Sequence, residues 1–146
     1  MMRLLLDMDV VLDLFLHRHP WSADAAAIWK AQRQKKIDAH VAAFTIPTIY
    51  YLVAQETDAL QALSVVDECL ATVHIVAVTE ETLQLARGFA LNDFEDSLQA
   101  ACAAQANLEF IVSRDPSGFT ASPVPVISPA EFRARLRPGP GKKRKP

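Results

Sequence analysis

Asp7 ends the apolar run Arg3-Leu4-Leu5-Leu6, and Asp115 follows a second one, Phe110-Ile111-Val112-Ser113-Arg114. A charge that closes a buried strand is costly unless it is paired or ligating. In open parallel sheets, ligands gather beyond the carboxyl ends of the strands, so two such acids reach the same edge. Three more, in Asp93-Phe94-Glu95-Asp96, open a helical stretch, and a helix amino terminus in such a fold faces that edge too. Carboxylates forced together repel unless a cation neutralises them. A hard divalent ion with oxygen ligands, Mg2+ or Mn2+, suits such a set, and an ion of that kind promotes phosphate chemistry.

Each acid also has a plain structural reading. Asp93 can cap a helix with Asp96 as its N3 partner, both favourable to the helix dipole. Asp115-Pro116-Ser117-Gly118 is a good turn sequence. Asp7 is the hardest of them to explain structurally.

The elements that must position these acids alternate along the chain. Arg3 to Leu6 reads as a short strand buried on both faces. Val10 to Leu16 is helical, and Ser22 caps a helix reaching Lys36. His40 to Ala43 is a second strand. Thr45 and Pro47 fit the cap and first turn of a helix through Tyr50, Tyr51 and Val53. Thr57 or Asp58 opens another, with Leu60, Leu63, Val66 and Leu70 on one face. Val73 to Val78 is β-branched and makes a third strand. Thr79 starts a helix ending near Gly88, and Asp93 starts the next. Phe110 to Val112 and Val124 to Ile127 are the last strands, and Ser128-Pro129-Ala130-Glu131 forms a capping box for a final helix. Strands separated by helices predict an α/β fold: a three-layer sandwich around a mainly parallel sheet of four to five strands.

With 146 residues, 51% of them hydrophobic, the chain suits one domain with a real core. Its first apolar run stops too early for a signal-peptide core, and none later is long enough to span a membrane. Cys69 and Cys102 sit in apolar helical stretches and read as buried thiols. A cytoplasmic location is the expectation. The net charge of −2 is unevenly spread, because seven of the 15 positive residues fall from Arg133 onward with no acid among them. Residues 1–136 read as the domain, and residues 137–146 as a basic, disordered tail.

Two families share a strand that ends in acids. Asp7-Met8-Asp9-Val10-Val11 resembles the motif of haloacid-dehalogenase-like phosphatases, which implies Asp7 as nucleophile and Asp9 as acid/base. That family also needs a basic residue near the phosphate, and this chain has no Lys between Ile37 and Gly141. A wider match runs through Leu5-Leu6-Asp7-Met8-Asp9-Val10-Val11-Leu12-Asp13, Pro47-Thr48-Ile49-Tyr50-Tyr51, Asp93 to Ala101, and Ile111 to Phe119. These four ordered blocks resemble the PIN domain, in the bacterial branch whose members often act as toxins of toxin–antitoxin pairs.

The resemblance implies a Mg2+- or Mn2+-dependent endoribonuclease that hydrolyses RNA phosphodiesters and is neutralised by a small antitoxin protein; a homodimer is compatible with it. Asp7, Asp96 and Asp115 match the family's metal-binding acids, and Ser113 matches a hydroxyl position beside the last. Asp9 stands where many members have Asn or Ser. The Glu that many PIN nucleases carry in the third helix is here Thr48, and Glu56 lies about two turns further on, so Asp93 or Glu95 would have to complete the coordination. That departure opens a further alternative, a catalytically impaired PIN binding module.

Arg114 can contact an RNA phosphate or form a surface salt bridge. His17 and His19 make a weak metal signal, while His40 and His74 read as structural. Tyr50 and Tyr51 can stack on bases, with helix packing the alternative for at least one. The run Lys142-Lys143-Arg144-Lys145 can grip RNA electrostatically or serve as a solubilising or partner-binding extension.

Overall fold

Leu4, Leu5 and Leu6 are all buried, because a strand in the middle of a parallel sheet has no wet face. They lie in β1 (Arg3–Leu6) of a computed structural model, which describes residues 1–89 and 91–136. The other strands are β2 (Asp38–Ala42), β3 (His74–Val76), β4 (Phe110–Val112) and β5 (Val126–Ile127). All pairings are parallel, in the order β3-β2-β1-β4-β5. Leu5 stands opposite His40 on one side and Ile111 on the other. The α/β sandwich read from the sequence is therefore present, with five strands.

The pleat sends alternate β1 residues into different cores. Leu4 and Leu6 pack with Val41, Ile49, Val53 and Phe132. This layer is built from α1 (Met8–Phe15), α2 (Ser22–Arg33), α3 (Thr45–Glu56), α4 (Ala59–Thr72) and α7 (Pro129–Leu136). Leu5 faces the opposite layer, with Ala42, Ala100, Cys102 and Ile111, under α5 (Glu80–Gly88) and α6 (Phe94–Gln105). Each fully buried leucine contributes roughly 1.5–3 kcal/mol. Both cysteines are buried and free. Tyr50 packs against the first core while Tyr51 points outward. At α7, Ser128 and Glu131 exchange the two bonds of the expected capping box, each 3.1 Å.

Several boundaries differ from the sequence reading, each for a local reason. The first helix begins at Met8 instead of Val10, because Asp7 is extended and its carboxylate caps α1 directly. Ser22 lies inside α2 behind Trp21 at the cap. Thr45 is likewise inside α3 behind Phe44, since its buried hydroxyl is held by Gln99. The third strand stops at Val76, where its single partner β2 ends at Ala42. The fifth begins after Pro125, which has no N–H to give a ladder. On α4 the apolar stripe is not a core face: Leu60, Leu63 and Leu70 are exposed, and Ala62 and Cys69 are buried instead. Among the described residues no helix is long and apolar enough to cross a membrane. The basic segment 137–146 lies outside the described residues.

Candidate active site

The strand order reverses at β1, whose neighbours are β2 and β4, and such a switch point opens a crevice at the carboxyl ends. Asp7 leaves β1 into that crevice. Its N–H bonds the carbonyl of Val112 at 3.0 Å, so the loop is tied to the end of β4. One carboxylate oxygen accepts the Met8 N–H at 2.8 Å, and the other accepts the Ser113 hydroxyl at 2.8 Å. Ser113 Oγ in turn accepts the Asp115 N–H at 3.1 Å. The buried Ser113 hydroxyl thus holds Asp7 and Asp115 in one unit.

Asp96 arrives from the other layer, in the first turn of α6. Asp93 caps that helix, its carboxylate accepting the N–H groups of Glu95 at 2.7 Å and Asp96 at 3.2 Å. The turn of tight helix Pro116–Phe119 then brings Gly118 against the acids. A Cβ on Gly118 would stand 2.9 Å from Asp96 Oδ2 and 3.3 Å from Asp115 Oδ2. These two carboxylates therefore flank a gap that glycine keeps clear. Asp7, Asp9, Asp93, Glu95, Asp96 and Gln99 line a cleft of about 140 Å3 beside it.

Electrostatics mark the same place. Burial pushes Asp7 up from 3.8 to about 6, with the charges of Asp9 and Asp115 adding and the bonds from Ser113 and Met8 opposing. Asp96 is raised from 3.8 to about 6 by desolvation first, then by Asp7, Asp93, Asp115 and Glu95. Two acids held near neutrality by each other's surroundings mark a functional site more often than a structural one.

Gln99 was not anticipated. It is 2% exposed, its Nε2 donates to Thr45 Oγ1 at 3.1 Å, and its Oε1 has no partner. The signal in the sequence was its spacing, one helical turn beyond Asp96 and so on the same face of α6. Thr48 supplies no acid here; its hydroxyl donates to the Phe44 carbonyl at 3.3 Å within α3.

The donor set is all oxygen, with an orphaned buried acceptor and a cleared gap, and this suits a hard cation that keeps part of its water. Among the described residues no group of three or more His, Cys, Asp or Glu side chains is placed to hold a metal ion by itself. Burial lifts the thiols of Cys69 and Cys102 to about 12 and about 11, so they offer no soft ligand.

Of the two readings of Arg114, the structure shows the salt bridge, and it is to a buried partner rather than on the surface. Its Nε and Nη2 donate to Asp13 at 2.6 and 3.1 Å, and its guanidinium lies 3.9 Å over the Trp21 ring. Asp13 is buried on α1, and that buried charge draws the arginine inward. A concavity of about 740 Å3 lies at the opposite edge of the sheet, where β2 and β3 begin. There His74 Nε2 is 3.1 Å from Asp38 Oδ1 and His40 stacks on His74, in keeping with a structural role for both histidines.

Solved structures share this architecture. VapBC from Salmonella typhimurium, bound to DNA, superposes with a TM-score of 0.67 at 11% identity, covering 88% of this chain and 99% of that one. FitAcB from Neisseria gonorrhoeae gives 0.64 at 19% identity, covering 87% and 98%. VapC20 from Mycobacterium tuberculosis, a sarcin-ricin loop cleaving toxin, gives 0.61 at 11% identity, covering 74% and 86%. No curated protein matches the sequence. The family model of the PIN domain matches residues 3–117. On that match, and on the fold that carries its acids to one crevice, the chain belongs to the PIN domain family.

Proposed function

We propose that the chain is a Mg2+- or Mn2+-dependent endoribonuclease and the toxin of a toxin–antitoxin pair. The observation that carries this reading is the convergence of Asp7, Asp115 and Asp96, the first two joined through Ser113 and the last two facing across Gly118. The toxin–antitoxin assignment is supported by VapBC and by the Klebsiella pneumoniae toxin–antitoxin complex, 17% identical with a TM-score of 0.63. Choice of RNA is supported by VapC20, which cleaves a sarcin-ricin loop. An antitoxin would be a small protein that covers the acidic crevice.

Asp7, Asp96 and Asp115 would hold the ion, with Asp9, Asp93 and Glu95 supplying further negative charge around it. A bound divalent ion lowers the pKa of water and offsets charge on a phosphate under attack. The chain's own part is to aim the carboxylates. Ser113 fixes the outward face of Asp7, the α6 amino terminus orients Asp96, and Gly118 leaves room between Asp96 and Asp115. The phosphatase alternative needs a basic residue near the phosphate, whereas the lining of the cleft around Asp7 and Asp9 includes no Lys or Arg.

Asp96→Asn is expected to lower RNA cleavage in Mn2+ by two to three orders of magnitude, the scale for removing a group that stabilises transition-state charge. It should also relieve growth arrest on expression. Cleavage at the wild-type rate, or equal toxicity, would exclude the mechanism. Clear Mn2+ binding without cleavage of any RNA would favour the binding-module alternative. Gly118→Ala should fold normally, because the displaced atom is the tip of a side chain. By shifting Asp96 it should weaken Mn2+ binding roughly tenfold, as titration calorimetry would show.

A further inference from the structure

We propose that Gln99 is a neutral oxygen ligand of this cation site, through its carboxamide Oε1. The inference rests on the divalent-ion reading above and adds a residue to it. An acceptor that is buried and unpaired is rare in a folded protein, because it has lost water and gained nothing. Oε1 of Gln99 is such an acceptor, and the residue lines the cleft with Asp7, Asp9 and Asp96. Its neighbours there are acceptors as well, so the carboxylates cannot satisfy it. A cation, or water ordered by one, satisfies all of them together.

The amide is not free to turn away. Nε2 is anchored on Thr45 Oγ1, and Thr45 is itself fully buried at the start of α3. That bond commits the Nε2 end of the amide and leaves Oε1 as its unpaired end. It also links α3 to α6, so α3 reaches the site through Thr45 and Gln99 although Thr48 brings no carboxylate. A neutral donor in place of an acid leaves the site one negative charge poorer, which favours an ion that retains water.

Three variants and one probe test the assignment: Mn2+ titrated calorimetrically into the full chain, with melting of the metal-free protein recorded alongside. Gln99→Met keeps the volume and removes the acceptor. It should bind Mn2+ at least tenfold more weakly while the metal-free melting temperature stays within a few degrees of wild type. A packing role alone would move the melting temperature and leave the affinity in place. Gln99→Glu puts a carboxylate at the same point; it should bind Mn2+ more tightly than wild type and lower the metal-free melting temperature through repulsion. Weaker binding by Gln99→Glu would mean that the amide donates to the acids instead of facing an ion, and would overturn the assignment. So would wild-type affinity in Gln99→Met. Asp96→Asn separates the two levels: if wild type binds and Asp96→Asn does not, the divalent-ion reading stands whatever Gln99 does. No Mn2+ binding by wild type would overturn both.

Discussion

Between pH 7 and pH 5, affinity for Mn2+ is expected to fall about a hundredfold, because two ligands with pKa values near 6 must each lose a proton before the ion binds. On the proposed reading Asp7 and Asp96 are those ligands, both raised from 3.8 to about 6, chiefly by desolvation. The metal-free protein should respond with the opposite sign. A carboxyl raised on folding binds its proton more tightly in the native state than in the unfolded chain. The stability it contributes is full below the unfolded pKa and is lost as pH rises through about 6. Metal-free protein should therefore gain stability from pH 7 to pH 5, by about 1–2 kcal/mol once solvent screening at the partly exposed Asp96 is discounted. Saturating Mn2+ should reverse that slope. Urea denaturation at the two pH values, with and without Mn2+, measures both signs. His40, lowered by burial, acts with the opposite sign in the same window, so the slope is compared with that of an Asp7→Asn, Asp96→Asn variant. An unchanged slope in that variant would show that Asp7 and Asp96 are not held in the environment described.

Arg114→Ala is expected to cost about 3–5 kcal/mol of stability, the scale for stranding one charge of a buried pair. The Asp13 side chain is 1% exposed, and Arg114 meets it with two hydrogen bonds. Arg18 also approaches Asp13, at 3.8 Å, too far to replace a bidentate partner. Removing both charges should be far milder than removing one, so Asp13→Leu with Arg114→Met should recover most of the loss. A single-variant cost below about 1 kcal/mol would mean that Asp13 is solvated or protonated, contrary to this geometry. The pair also braces the loop that carries Asp115 against α1, the helix that Asp7 caps, so one stability element holds two of the three acids.

Much of this molecule was legible in the linear chain. The short apolar run at Leu4 to Leu6, closed by Asp7, read as a buried strand because it is too brief for a helix and capped helical stretches follow it. Strands alternating with capped helices then required crossover connections, and the acids after β1 and β4 had to emerge at one edge. Cap residues such as Asp58, Thr79, Asp93 and Ser128 were readable because their hydrogen bonds are local. The ends of α1 and α3 were not, because Asp7 and Thr45 are recruited by partners that depend on the fold. Residue type was equally silent on α4, where an apolar stripe looks the same whether a neighbour covers it or not.

Asp7 and Asp115 drew attention by their type and place after a strand, while Asp96 was singled out from its acidic neighbours by the resemblance to the PIN domain. Their roles relative to one another were decided by tertiary structure. Asp13 pairs with Arg114 across 101 residues of sequence. Ser113 joins two acids 108 positions apart. Gln99 is held through its Nε2 by a hydroxyl on another helix, which leaves its Oε1 unpaired. Such assignments depend on which polar groups lose water together, and burial is a property of the packed molecule, not of any one residue in the chain.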